Sequence, residues 1–194
     1  MGSGPPASTP LECSPIFTET KAAQMTIEVG DTLPNVPLFD IDESGGPRAL
    51  PAHERFAGKK MVVFAVPGAF TRTCSAKHLP GFVNHADDIK AKGIDEIVCI
   101  SVNDAAVMNA WGMAHGAPDN VTMISDGIAE FTSALGLSVD MSARGYGIRS
   151  KRYAMIVEDN KIVDLAVEPS GEYGISSAEA CLLYTSPSPR DFTE

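Results

Sequence analysis

A chain of 194 residues with 44% hydrophobic content is long enough for one domain with a substantial core, and too short for two ordinary ones. A formal net charge of −10 argues against nucleic-acid binding, which needs a basic face, and no apolar run approaches membrane-spanning length. The cysteines, Cys13, Cys74, Cys99 and Cys181, include no Cys-x-x-Cys pair, and the histidines are scattered at 53, 78, 85 and 115, so the spacing gives no metal site.

Residues 1–24 are rich in Gly, Pro, Ser and Thr and show no periodicity. They lack the apolar stretch of a secretory signal, and they hold Glu12 and Glu19 but no Arg, unlike a mitochondrial presequence. The expectation is a disordered leader on a protein of a reducing compartment, cytoplasmic with an organelle left open, whose cysteines rest as thiols. Residues 31–42 set Leu33, Val36, Leu38, Phe39 and Ile41 among prolines and read as an extended edge segment. A turn cluster spans 42–47, and Arg48 to Lys60 reads as loop or short strand. The run Met61-Val62-Val63-Phe64-Ala65-Val66 is apolar and β-prone, the mark of a buried strand. A helix is predicted from Cys74 to Lys92, with Phe82, Val83, Ala86 and Ile89 at helical spacing, a kink at Pro80 and Gly93 as its C-terminal cap.

A second strand follows over 94–102, and Asn103-Asp104 caps a helix running to about His115 with Trp111 on its apolar face. Residues 121–125 form a third strand, and Asp126 starts a short helix ending near Gly136. Beyond a Gly-rich loop, 153–157 and 162–167 make a hairpin across Asp159-Asn160. Strands alternating with helices, then a hairpin, imply an α/β sandwich around a mixed sheet. One domain over 25–180 is expected. Residues 181–194 should form an irregular tail, because Pro187 and Pro189 stop any helix, and the terminal dozen residues have the look of a misassembled reading frame.

The junction between the strand ending at Val66 and the helix starting at Cys74 carries the chemistry. A cysteine in a first helical turn meets unpaired N–H groups and the positive end of the helix dipole, both of which favour a thiolate. Thr71 can aim a hydroxyl at the same spot, and Pro67 stiffens the strand exit. Pro67, Thr71 and Cys74 stand in the pattern Pro-x-x-x-Thr-x-x-Cys, which resembles the active-site motif of peroxiredoxins. The longer string Pro-Gly-Ala-Phe-Thr-x-Thr-Cys-Ser, followed by His-Leu-Pro-Gly-Phe, is similar to the type II subfamily (atypical two-cysteine, peroxiredoxin-5-like). One letter departs, since the family usually has proline where this chain has Arg72. Thr26 to Asp31 resembles the family's usual start, which leaves residues 1–24 outside the working domain.

The resemblance implies a thioredoxin-like fold with helices on both faces of the sheet, and a thiol-dependent peroxidase for hydrogen peroxide and alkyl hydroperoxides. It also implies that no cofactor is needed, that glutaredoxin with glutathione, or thioredoxin, supplies the reducing thiol, and that the protein forms a homodimer. Thiolate formation alone does little for the rate. Lowering a cysteine pKa from about 8.5 to about 6 raises the thiolate fraction at pH 7 from roughly 3% to roughly 90%. Intrinsic nucleophilicity falls about tenfold over the same shift, so the gain is a few-fold and the rest must come from groups touching the peroxide. Thr71 and the amides of Thr73 and Cys74 are candidates. Four arginines, Arg72, Arg144, Arg149 and Arg152, compete as the cation. The family's arginine opens a strand in an Arg-aromatic-small-Met pattern, here Arg152-Tyr153-Ala154-Met155, where a fork of donors could hold both peroxide oxygens.

Attack leaves Cys74 as a sulfenic acid. By resemblance to plant and algal members Cys99 is a possible resolving cysteine, whereas the position used by animal-type members is Ser176 here. An external thiol is the other route. Two rival readings remain open on the residues alone: a redox-sensing module acting through a partner, and a Cys–His hydrolase using His78, which lies four residues after Cys74 and on the same helix face.

Overall fold

The computed structural model describes residues 25–185 together with Met1, so the leader expected over 1–24, Cys13 and the last nine residues lie outside what is described. In chain order the elements are β1 (Pro37–Ile41), β2 (Pro47–Pro51), α1 (Ala52–Phe56), β3 (Lys60–Val66), α2 (Leu79–Asn84), α3 (Ala86–Lys90) and β4 (Glu96–Ser101). They continue with α4 (Ala105–Ala114), β5 (Thr122–Ser125), α5 (Glu130–Ala134), β6 (Ser138–Asp140), β7 (Ile148–Ser150), β8 (Tyr153–Glu158), β9 (Lys161–Val167) and α6 (Ala178–Tyr184).

The main sheet has the order β2-β1-β5-β4-β3-β8-β9. The β3–β4 and β4–β5 pairs are parallel and the others antiparallel, which makes the sheet mixed as expected. β3 is central and buried along its length, and its alternate residues feed two apolar layers. Val62, Phe64 and Val66 pack with Leu79, Phe82, Ile89, Met108, Trp111 and Ala178, so α2, α3, α4 and α6 cover one face. Met61, Val63 and Ala65 pack with Phe56, Phe131 and Leu135, which puts α1 and α5 on the other.

Several local expectations need correction. The segment read as an edge is interior: β1 lies between β2 and β5, and the true edge is β2, whose proline ends suit a strand with one unpaired side. The short strand allowed within 48–60 is β2, but the helix α1 beside it is unexpected, and the Gly-rich loop holds a small β6–β7 ribbon. Neither has a long enough period to register in a sequence window. The last helix continues through Cys181 to Tyr184, so the irregular segment does not start at 181; both prolines lie beyond the helix and leave its hydrogen bonds intact. Ser177 caps its start and the Lys92 ammonium donates to the carbonyls of Leu182 and Thr185 at its end. The β8–β9 hairpin turns at Asp159-Asn160 with φ of 46° and 66°, both left-handed as a two-residue turn of this hand requires.

The helix expected over 74–92 is broken. Helical backbone starts at Arg72, passes through a wide π turn at Cys74–His78, runs on as α2, and breaks at His85 (φ −103°) before α3. In the wide turn the Leu79 amide reaches back five residues to the Cys74 carbonyl. Pro80 explains it, because proline has no N–H to give the preceding turn and its ring would press on the Ala76 carbonyl in a regular α-helix. The expected kink therefore takes the form of an extra residue inserted just before the proline.

Candidate active site

The site lies where the C-terminal end of β3 meets the start of β8. Antiparallel pairing sets Ala65 opposite Tyr153, so Arg152 comes beside the loop that leaves β3 at Pro67. That loop is tied down at several points. The Thr71 hydroxyl donates to the Gly68 carbonyl (2.8 Å), and the Ala69 amide donates to Asn103 Oδ1 (2.9 Å). The same oxygen accepts from the Ser101 hydroxyl at 2.8 Å. A Cβ on Gly68 would meet Arg149 Nη1 at 3.1 Å and Thr71 Cγ2 at 3.2 Å, so a larger residue would push these two side chains back by a few tenths of an ångström. Phe70 is held at φ 58° with the residue 57% exposed, a conformation that the surrounding hydrogen bonds must enforce on a non-glycine residue.

Cys74 opens the π turn and is 1% exposed. The first helical backbone bond runs from the Ser75 amide to the Thr71 carbonyl, which leaves the Thr73 and Cys74 amides ahead of the helical ladder. Arg152 spans two partners: Nη2 donates to Cys74 Sγ at 3.4 Å and Nη1 donates to His78 Nδ1 at 2.8 Å. Its guanidinium carbon also sits 5.8 Å from the Tyr173 ring centre.

His78 is where sequence reasoning fell short. Its Nε2 donates to the Ser176 carbonyl (2.9 Å) while Nδ1 accepts from Arg152, so both nitrogens are committed and the proton sits on Nε2. Burial first, then the charge of Arg152, lower its pKa to about 3. A neutral imidazole with no free lone pair is not a base for Cys74, and the Cys–His hydrolase reading falls on that geometry. Behind it, the buried Glu168 carboxylate accepts from the Ser176 amide and hydroxyl (both 2.8 Å) and from the Gly174 amide (2.6 Å). Burial raises the Glu168 pKa, but these donors outweigh it and hold the group below its usual value. A chain of contacts thus runs Glu168–Ser176–His78–Arg152–Cys74. A His in the sequence Cys-Ser-Ala-Lys-His gave only its helical position; the partners come from two distant loops.

Of the expected residues, Pro67, Thr71 and Arg152 line one cleft of about 280 Å³; Cys74 is not in its lining but is in contact with Arg152, which is. Arg72, Arg144 and Arg149 line the same cleft. Arg149 is held in place by backbone carbonyls: Nε donates to the Tyr146 carbonyl (2.8 Å) and Nη1 to the Val102 carbonyl (3.1 Å). Asn103, read as part of a helix cap, serves the loop instead, while Asp104 caps α4 through the Val107 amide (2.9 Å). Cys99 lies in the middle of β4, opposite Phe64, in the same apolar layer as Cys74 and with no exposed surface; burial first, then the nearby Cys74, raise its pKa well above the usual thiol value. Burial likewise pushes Cys181 up to about 12. Among the described residues no group of three or more His, Cys, Asp or Glu side chains could hold a metal, and no helix is long and apolar enough to cross a membrane.

The family model described as Redoxin matches residues 28–182. Peroxiredoxin-2B of Arabidopsis thaliana is 44% identical over 156 residues, covering 80% of this chain and 96% of that protein. The chloroplastic peroxiredoxin-2E-2 of Oryza sativa subsp. japonica is 48% identical over 161 residues, covering 81% and 72% respectively. Among solved structures, reduced Prx3 of Vibrio vulnificus in complex with H2O2 superposes with a TM-score of 0.80 at 48% identity, covering 83% of this chain and all of that one.

Proposed function

The chain belongs to the Redoxin family as a peroxiredoxin of the type II, peroxiredoxin-5-like kind, a thiol peroxidase with the thioredoxin-like fold, and from that premise we propose how its own residues divide the work. The substrates are hydrogen peroxide and alkyl hydroperoxides, and the nucleophile is the Cys74 thiolate. Its sulfur attacks one peroxide oxygen, forming the S–O bond as the O–O bond breaks. The electron pair leaves on the second oxygen, which takes up a proton to become water or alcohol, and Cys74 becomes a sulfenic acid.

The observation that carries this reading is the placement of Arg152 against both Cys74 Sγ and the cleft. Its charge and donors face the oxyanion as it departs, and His78 and Tyr173 fix the guanidinium so that little reorientation is needed. Because Thr71 gives its own proton to Gly68, its oxygen offers lone pairs to the peroxide O–H and so orients it. Pro67 forms the cleft wall at the strand exit.

An external thiol, from glutathione with glutaredoxin or from thioredoxin, resolves the sulfenic acid. What favours this over Cys99 is the complete burial of Cys99 in a strand paired on both sides, where burial holds its thiol well above the usual value and so keeps it from the thiolate form that attacks a sulfenic acid. Homodimer formation rests on the family resemblance, and the exposed Phe70, Tyr146 and Ile148 are apolar surface that a partner could cover.

The test is multiple-turnover peroxide consumption with glutaredoxin/glutathione and with thioredoxin side by side, on the parent protein and on Cys74→Ser. Turnover in the parent and none in the variant is expected. Turnover by Cys74→Ser would remove Cys74 as nucleophile. Mass spectrometry after one equivalent of peroxide and glutathione should show a glutathione adduct on Cys74. An internal Cys74–Cys99 disulfide would overturn the external route.

A further inference from the structure

We propose that Arg72 and Arg144 form a carboxylate-binding subsite at the mouth of the cleft, so that the molecule meeting Cys74 is preferentially an anion. The proposal rests on the peroxidase reading above and asks which substrates of that site are selected. Four arginines, Arg72, Arg144, Arg149 and Arg152, line the cleft, and no acidic side chain does. Among the described residues none of the four has a carboxylate within 4.0 Å, although the chain as a whole carries a net charge of −10. Arg149 is held by carbonyl oxygens, neutral acceptors that fix its position without cancelling its charge, while Arg152 is committed to Cys74 Sγ and His78. Arg72 and Arg144 are exposed.

Hydrogen peroxide needs none of this surplus. It is neutral, Arg152 and Thr71 suffice to grip it, and the cleft of about 280 Å³ is far larger than one peroxide. Gathering like charges around an opening carries a repulsive cost that a bound anion relieves, and walls of one sign focus the field on whatever enters. A carboxylate suits the guanidinium fork, which can hold both of its oxygens.

Two kinds of molecule reach Cys74 through this opening, and either could bring the carboxylate. One is an organic hydroperoxide R–O–OH, whose O–O bond breaks as the S–O bond forms, the RO⁻ taking up a proton. The other is the reducing thiol, whose thiolate attacks the sulfenic sulfur to form an S–S bond as hydroxide leaves and is protonated to water. The experiment therefore has two arms, run by stopped flow at low ionic strength. The first compares the hydroperoxide of linoleic acid with that of its methyl ester on reduced protein. The second compares glutathione with its diethyl ester on protein oxidised by one equivalent of peroxide.

In at least one arm the acid should react several-fold faster than the ester, each exposed arginine contributing about twofold to fivefold. The ratio should fall toward one as salt is raised, since exposed charges are screened, and it should fall likewise in Arg72→Gln/Arg144→Gln. A preference confined to the first arm assigns the subsite to the substrate; one confined to the second assigns it to the reductant. Equal rates for acid and ester in both arms of the unaltered protein, or a preference unchanged by salt and by the double substitution, would overturn the proposal. Failure of the peroxidase reading looks different: the esters and hydrogen peroxide would then not react either. Because the acid-to-ester ratio and its salt dependence are read on the unaltered protein first, a poorly folding variant cannot decide the outcome.

Discussion

Arg152 joins the nucleophile to the buried chain behind it, and its substitution separates charge from geometry. Arg152→Ala should lower the second-order rate with hydrogen peroxide by a factor corresponding to roughly 3–4 kcal/mol, by analogy with loss of an oxyanion donor. Arg152→Lys keeps the charge but not the fork that reaches Cys74 and His78 together, so stopped flow should find it closer to Ala than to the parent. If Lys restored most of the rate, charge and not the fork would be the active ingredient. Arg72 is the other informative residue. It is the first helical residue, and the first helical backbone bond starts at Ser75, so proline there would lose no hydrogen bond and would stiffen the loop. Arg72→Pro should therefore speed attack on hydrogen peroxide. A slower Arg72→Pro would show that the cation contributes more than loop geometry. Sequence showed Cys74, Thr71 and Pro67 because they sit in one short string. It showed Arg152 only through a family pattern, and could not show Glu168 or Ser176, whose relation to the thiol exists only after β8 and β9 have paired.

At the level of elements, the strands that were legible were β3, β4, β5, β8 and β9, whose apolar or alternating runs are bounded by turn residues. What escaped were short pieces such as α1, β6 and β7, and the true neighbours of β1, because edge or interior position depends on distant partners. The wide turn at Cys74 was half legible: Pro80 announced a distortion but not its form. Replacing Pro80 by Ala restores an amide donor and removes the clash, so the turn can tighten to an ordinary α-helix. Removing the inserted residue would rotate Cys74 relative to Arg152, and a misplacement near 1 Å can cost on the order of a hundredfold in rate. Pro80→Ala is expected to melt no lower than the parent in calorimetry while reacting with peroxide at least about tenfold more slowly. A variant with unchanged rate would show that the wide turn does not position the thiol.

For the molecule as a whole, the buried imidazole ties the site to global stability. His78 has a folded pKa of about 3 against an ordinary 6.5, so between those values the unfolded chain binds a proton that the folded chain does not. Stability must then decline as pH falls from 6.5 toward 3, with a slope approaching about 1.4 kcal/mol per pH unit from this one group. Glu96 is likewise lowered to about 2: burial opposes the shift, but hydrogen bonds from Arg55 and Thr122 outweigh it, so a further loss begins only as pH drops through the carboxylate range. Denaturant titrations from pH 7 to 4 should show the decline in the parent, and a shallower one in His78→Gln between pH 6.5 and 4.5. Parallel profiles would mean that His78 gains its proton in the fold as easily as in the open chain. The two apolar layers make this coupling unavoidable, since the ring packs against Phe64 and Phe82 in one of them, with centroids 4.9 and 5.6 Å away.

The sequence has a single tryptophan, and the indole N–H of Trp111 donates to the hydroxyl of Ser75 at 2.9 Å, one residue from the nucleophile. Every photon emitted by an indole in this protein therefore originates beside the reacting sulfur. When the turn that holds Cys74 changes its bonding, the polarity around that chromophore changes with it. Intrinsic fluorescence can then follow oxidation and re-reduction in real time, free of a coupling enzyme or an attached dye, and Ser75→Ala would supply the control that mutes the signal without touching the thiol.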